Sequence, residues 1–277
     1  MRALVSGGTG FLGRHLVRSL RGMGWAVEVI NSTHGNLLKP EGLYNLYPVD
    51  SFDYIFHLAV NTKAGPYSLH HPADDWFTNQ LLNAQMIKYW MEKEPSAKMV
   101  CFGTSCSYGQ DVYPIEENYT IGIPEPSLKY YAATKRNLLE ALEACEKQDG
   151  RRQSLYFILP TLYGPDFSHS DTHFIFDLIM KAYEARETKK RLEIWGDGQQ
   201  KRQLLYINDA VEMILSLLDR RGVWNLSADR ARTINTYTTM ICNHINLPHS
   251  RVTHDLKRYI GCLLYTSPSP RDRQKSR

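Results

Sequence analysis

Met1-Arg-Ala-Leu-Val-Ser-Gly-Gly-Thr-Gly-Phe-Leu-Gly13 runs from a short apolar segment into evenly spaced glycines. Ala3-Leu4-Val5 has the composition of a buried strand. Phe11, Leu12, Leu16, Val17, Leu20 and Met23 then recur at helical spacing. The order is strand, glycine turn, amphipathic helix. Gly7, Gly10 and Gly13 allow a tight turn and let backbone N–H groups approach an anion with no Cβ in the way. The helix N-terminus adds unpaired donors and the positive end of a dipole. Gly8-x-Gly10-x-x-Gly13 also fits the general dinucleotide fingerprint, so Gly7, Gly10, Phe11, Leu12 and Gly13 are candidate cofactor contacts.

Strand and helix patterns alternate after this turn. Residues 26–30 read as a second strand, 53–59 as a third ending in His57-Leu58-Ala59, and 98–103 as a fourth. Residues 74–92 and 130–147 read as long helices, the first carrying Asn79 and Asn83 one turn apart. Residues 153–159 form another strand, which Pro160-Thr-Leu-Tyr-Gly-Pro165 breaks. The later alternation is looser: helices at 174–185, 209–218 and 233–245, and strands at 191–195, 204–207 and 223–226. This predicts an α/β fold, a Rossmann-like doubly wound parallel sheet with a smaller C-terminal substrate part. The expected division is 1–165 for the dinucleotide, 166–261 for the substrate, interleaved with the sheet, and 262–277 as a tail.

Composition narrows the classes. The chain has 277 residues and is 43% hydrophobic, enough for a sizeable core. No apolar run approaches the roughly 20 residues of a membrane span, and the glycine turn follows Met1-Arg2 too closely for a signal peptide. Five cysteines without tight spacing fit reduced thiols in the cytoplasm. Of the net charge of +4, Arg271, Arg273, Lys275 and Arg277 against Asp272 place +3 after residue 261. The remainder gives no electrostatic case for nucleic-acid binding. The tail Cys262–Arg277 has no structural period and looks like a translated sequencing adapter, so the native chain is expected to continue past Gly261.

Thr104-Ser-Cys-Ser-Tyr-Gly109 falls at the C-terminal end of the fourth strand, where open parallel sheets place ligands. Tyr131-Ala-Ala-Thr-Lys135 puts a phenol and an ammonium on one helix face. The ammonium favours the phenolate and tunes the phenol for proton exchange. Asn31 and Ser32, after the second strand, stand where NAD-preferring folds carry an acid. They leave NAD and NADP both open.

Together these pieces resemble the extended short-chain dehydrogenase/reductases, the NAD-dependent epimerase/dehydratase family. The matching motifs are Gly7-x-x-Gly10-x-x-Gly13, His57-Leu58-Ala59, Thr104 to Gly109, Tyr131-x-x-x-Lys135, Tyr163-Gly164-Pro165, and Trp195-Gly-x-Gly198 with Arg202 and Asp209. The resemblance implies an NAD(P) cofactor contacted also by Leu58, Ala59, Tyr131, Lys135 and Pro160. It implies Tyr131 as acid/base, Lys135 on the nicotinamide ribose, Thr104 on the reacting oxygen and Arg202 on a sugar-nucleotide diphosphate. Dehydratases of this family carry Asp-Glu where this chain has Ser105-Cys106. A cysteine at the second place resembles the GDP-L-fucose synthase group, which pairs it with a histidine at a following helix start, here His173. Thiolate and imidazolium suit proton removal and return beside a carbonyl.

Two departures from the family pattern stand out: Pro160-Thr161-Leu162 lacks the usual asparagine, and Lys39 replaces a frequent acid. The implied activity is epimerisation and reduction of a nucleotide sugar. The rivals are a 4-epimerase with bound NAD and a non-catalytic NAD(P)-sensing scaffold. His57 is expected to pack near the cofactor. His169-x-x-x-His173 has metal-like spacing, but its Ser and Asp neighbours favour a loop, so no metal is expected. Family members often form homodimers through two helices per subunit, which makes 74–92 and 131–147 the candidates.

Overall fold

The computed structural model describes residues 1–39, 41–61, 70–109, 117, 122–124, 128–167, 173–228 and 230–257. The adapter-like tail and His169 lie outside them. The central sheet contains six parallel strands: β1 (Arg2–Ser6), β2 (Ala26–Ile30), β3 (Tyr54–His57), β4 (Lys98–Thr104), β5 (Gln153–Leu159) and β10 (Gly222–Asn225). Their spatial order is β10-β5-β4-β3-β1-β2. The chain leaves β1 for β2 on one side and returns to β3 on the other, so the switch point lies between β1 and β3. Ligands of such sheets bind above this crevice, at the strand C-termini.

Both sheet faces are covered, which explains the nearly continuous apolar strands. Leu4, Ile55, Met99, Cys101 and Tyr156 face α3 (Pro72–Lys93) and α4 (Lys129–Gln148), meeting Met86, Trp90, Leu138 and Leu142. Ala3, Val5, Phe56, Val100 and Phe157 face α1 (Phe11–Gly22) and α6 (Ile207–Ser216), meeting Leu16, Leu20, Ala210 and Ile214. The helical turn α2 (Glu41–Tyr44) precedes β3. A third apolar cluster joins α5 (Phe174–Thr188), β7 (Leu192–Trp195) and α7 (Ile234–Ile245) through Leu178, Ala182, Ile194, Tyr237 and Cys242.

The segment after Pro160 differs from expectation. Proline ends the ladder with β4, but Thr161–Tyr163 continues as β6 and pairs with β9 (Leu204–Tyr206). Short ladders pair β8 (Lys201–Arg202) with β11 (Arg232–Thr233), and β7 with β12 (Val252–Asp255); of these, β8, β11 and β12 were not legible as strands. At the N-terminal end of β4, buried Lys98 donates to Leu218 O at 2.7 Å and to Arg220 O, satisfying carbonyls just past α6.

Glu94, which caps α3, is fully buried. It accepts from Phe52 N at 3.1 Å and from the Tyr89 hydroxyl at 3.3 Å. Burial pushes its carboxyl up to about 7. The folded state thus binds a proton that the unfolded chain releases near 4.5. Its stabilising contribution is complete below that value and is lost as pH rises through about 7. Between those limits the loss is about 3 kcal/mol. Denaturant titrations at pH 4.5 and 8 are expected to show this difference in wild type relative to Glu94→Gln, and parallel pH profiles would refute it.

Candidate active site

The glycine turn is shaped by close backbone approach. Gly7 has φ +69°, and a Cβ there would lie 2.7 Å from Ala59 N and 2.8 Å from the Leu58 carbonyl carbon. A Cβ on Gly13 would stand 2.2 Å from Gly7 O. A Cβ on Gly10 would meet only Gly7 O, at 3.3 Å, so the side of the turn it faces is open. No side chain caps α1, whose N-cap is Gly10. An open cradle over uncapped N–H groups fits the diphosphate of a dinucleotide. Leu58 and Ala59 border it through β3, and Leu58 N donates to Ser6 O at 3.0 Å.

A second loop is fastened to this turn. Arg14 donates to Thr9 O at 2.8 Å and to Asp166 O at 2.5 Å. Phe167 packs 4.6 Å from Phe11 and stacks on Phe176 at 4.1 Å. The His173 ring meets Phe167 edge-on at 6.0 Å. Phe167 therefore spaces His173 one aromatic ring away from the glycine turn. His173 is the N-cap residue of α5; its carbonyl accepts from Phe176 N and Asp177 N, while its imidazole does not cap the helix.

At the end of β2 the Asn31 side chain organises its own loop. Its Oδ1 accepts from Thr33 N (2.9 Å), Thr33 Oγ1 (2.8 Å) and His34 N (2.9 Å). Ser32 is exposed, and its carbonyl accepts from Asn36 Nδ2 at 3.1 Å. The Asn31 acceptor is thereby used locally, which shifts what this loop offers to a cofactor towards donors.

Above β4, Thr104 Oγ1 accepts from Cys106 N at 3.3 Å and caps the short 3-10 turn Ser105–Ser107. A hydroxyl that accepts there retains its hydrogen for a substrate oxygen. Arg136 on α4 donates through Nε to Ser107 O at 2.8 Å, and through Nη2 to the same carbonyl and to Gly122 O at 2.9 Å. The Cys106 turn is thus bolted to the helix that carries Tyr131 and Lys135. Lys135 Nζ lies 6.0 Å from the centre of the Tyr131 ring. The Lys135 side chain is buried, and burial pulls its ammonium down to about 8. Its charge in turn draws the buried Cys101 thiol down against the upward push of burial, which leaves that thiol at about 12.

His57 is more than packing. It joins Ser6, Asn83 and α4 in a buried polar chain. Pro160 follows β5, beside the active-site turn that ends β4. Arg202 lies on β8, where its carbonyl accepts from the Tyr237 hydroxyl at 3.0 Å. Nearby, Lys181 Nζ stands 4.7 Å over the Trp195 ring. Arg136 and Phe167 were missed in the sequence. Arg136 directly follows the Tyr-Lys motif, but no spacing rule links a guanidinium to a carbonyl 29 residues away.

A parallel sheet with a glycine cradle at its switch point and a Tyr/Lys helix beside a Thr-capped turn defines a dinucleotide-dependent α/β enzyme. The NAD dependent epimerase/dehydratase family matches residues 3–227, and the chain belongs to it. It is 28% identical to GDP-L-fucose synthase of Sinorhizobium fredii over 223 residues, 78% of this chain and 70% of that one. It is 23% identical to GDP-L-colitose synthase of Yersinia pseudotuberculosis over 219 residues, 77% and 71% of the two chains. Among solved structures, GDP-L-fucose synthetase of Naegleria fowleri bound to NADP superposes with a TM-score of 0.84 at 20% identity, covering 99% of this chain and 86% of that one. The cofactor is therefore NAD(P). Among the described residues no helix is long and apolar enough to cross a membrane, and no group of His, Cys, Asp and Glu is arranged to hold a metal.

Proposed function

We propose that this enzyme epimerises and reduces the keto-sugar of a GDP-linked nucleotide, with NADPH as the reductant. The observation that carries this reading is Cys106 held in the Thr104-capped turn that Arg136 locks to the Tyr131 helix. The names of the two relatives above support the GDP-sugar class. Gly7, Gly10 and Gly13, with Leu58, Ala59 and Pro160 at the border, would hold the cofactor, which would supply the hydride. Tyr131 gives its phenolic proton to the ketone oxygen, and Thr104 hydrogen-bonds that oxygen. Lys135 holds the nicotinamide ribose and stabilises the phenolate left behind. Cys106 and His173 remove and return a proton from opposite faces of the carbon beside the carbonyl. Arg202 grips the diphosphate, a bidentate task suited to guanidinium.

Residues 166–261 would supply the sugar side of the cleft. Trp76, Phe77 and Tyr130, exposed on α3 and α4, fit a homodimer built on those helices. The thiols Cys101, Cys106, Cys145 and Cys242, none of them in a disulfide, fit the cytoplasm.

Incubation with a GDP-linked keto-6-deoxyhexose and NADPH tests the reaction. Net NADPH oxidation with inversion at carbon is expected. Sugar interconversion without net oxidation would instead establish a 4-epimerase, and neither would leave a cofactor-sensing scaffold. The loop after β2 supports NADP over NAD. Residues 29–40 contain no carboxylate, and the Asn31 oxygen is already taken by three donors. That end offers donors to a 2′-phosphate and no carboxylate to a 2′-hydroxyl. Asn31→Asp keeps the local turn and adds a charge. It is expected to weaken NADPH binding by about tenfold, the scale of one partly screened repulsion, and to leave NADH unaffected in a fluorescence titration. Tighter NADH than NADPH binding by the wild type would refute the assignment.

A further inference from the structure

Three buried polar side chains connect the cofactor turn to the catalytic helix. Ser6 is the last residue of β1, His57 the last of β3, and Asn83 lies on α3; all three are buried. Ala59 N lies 3.2 Å from Ser6 Oγ, Ser6 Oγ 2.8 Å from His57 Nδ1, His57 Nε2 3.1 Å from Asn83 Oδ1, and Asn83 Nδ2 3.1 Å from Thr134 O.

The direction of every bond follows from its ends. Thr134 O only accepts, so the Asn83 amide donates there and presents its oxygen to His57. His57 must then carry its proton on Nε2, which leaves Nδ1 bare, and Ser6 donates to it. The Ser6 oxygen accepts the Ala59 N–H. The chain closes with no group left over only if His57 is neutral. Burial, reinforced by the charge of nearby Lys135, holds the imidazole down at about 4. Ordinary packing does not call for three buried polar side chains here, because matched apolar groups fill such a space at no greater cost. What the chain provides is a fixed length between the peptide after His57-Leu58 and the Thr134–Lys135 peptide.

We propose that His57 is a positioning residue: with Ser6 and Asn83 it forms a buried strut that fixes the Thr134–Lys135 peptide against the cofactor turn and thereby sets Lys135 relative to Tyr131. The proposal rests on Tyr131 being the proton donor. Among the described residues, the titratable side chains around Lys135 are Tyr131 from α4, His57 from β3, Cys101 from β4 and Tyr156 from β5, whose hydroxyl donates to the Lys135 carbonyl at 2.8 Å; α3 contributes the uncharged Asn83.

Tyrosine labelled with ¹³C at Cζ, with Tyr131 assigned by its loss in Tyr131→Phe, reads the phenol's ionisation in the NADP-bound protein with no sugar present. In His57→Leu the Tyr131 midpoint is expected to move up towards the ~10 of a free phenol. kcat is expected to fall about 100-fold, the scale of a small displacement of a catalytic group, with KM for the sugar little changed. His57→Gln keeps an amide that reaches Asn83 Oδ1 and is expected to remain near wild type in both readings. An unmoved Tyr131 midpoint in His57→Leu overturns the proposal, as does a Gln variant damaged as severely as the Leu variant. If His57→Leu does not fold, the Ser6→Ala/His57→Leu/Asn83→Leu variant removes both side chains stranded by the loss of the imidazole and is judged by the same readings. In ¹⁵N-histidine spectra at neutral pH, His57 is expected as the Nε2–H tautomer, and the Nδ1–H tautomer overturns the strut. The phenol and tautomer readings need no sugar, so absence of turnover with a GDP-linked keto-sugar would count against the proposed reaction and leave the strut to be judged on its own.

Discussion

Tyr131→Phe is expected to lower kcat for ketone reduction by about 10²–10⁴-fold, the usual contribution of a positioned general acid, while NADPH binding stays near the wild-type value. The split follows from the division of labour on α4. Phenylalanine preserves the ring beside Lys135 and removes only the hydroxyl. Lys135, buried one helical turn on, keeps its charge and, in the proposed mechanism, its hold on the ribose. Lys135→Met is expected to lose both properties, so NADPH affinity and kcat fall together. The measurement is a fluorescence titration with NADPH beside steady-state oxidation at 340 nm. Turnover of Tyr131→Phe within tenfold of wild type would remove the phenol from the reaction, and with it the reading of Lys135 as its tuner. The buried ammonium at about 8 gives the prediction a pH limit. Burial is the cause, so the charge is present through neutral pH and is lost as pH rises past about 8. The comparison belongs near pH 7.

The sheet was legible because its period and punctuation are strong. Residues 26–30 and 153–159 were read to the residue, since each is an apolar run bounded by turn-forming residues or charge. The glycine turn was legible as a motif, but the reasons for its glycines were not. Gly7 is required by Ala59, 52 positions away, and Gly13 by Gly7 itself. Strands β6, β8, β11 and β12 escaped because two to four residues carry no measurable period. Contacts that cross between elements were equally silent. Arg136 on Ser107 O, Lys98 on Leu218 O and the His57 strut all use backbone carbonyls or neutral side chains as partners. Such partners leave no charge pattern and no spacing in the sequence. Asn31 is a further case: residue type raised it as a cofactor contact, whereas only the direction of its amide shows that its oxygen is already used.

Cys106→Ser is expected to separate the two halves of the reaction. Serine keeps the size, the backbone bond to Thr104 Oγ1 and the turn that Arg136 holds. What it loses is the thiol, because a hydroxyl does not form an anion where a thiol does. Proton removal from the carbon beside the carbonyl should therefore slow by about 10²–10⁴-fold. Hydride delivery and proton donation by Tyr131 do not involve Cys106. In deuterium oxide the wild type is expected to incorporate deuterium at the inverted carbons, whereas Cys106→Ser should oxidise NADPH and yield a reduced sugar with its original configuration and little deuterium. His173→Asn should block the opposite face. Deuterium then exchanges at the carbon Cys106 deprotonates, but inversion fails, because the proton returns to the face it left. The two variants thus predict different isotope patterns from one substrate. Full inversion with unchanged deuterium uptake in Cys106→Ser would show that the cysteine only fills space, and would move the carbon-acid chemistry to another side chain of the cleft.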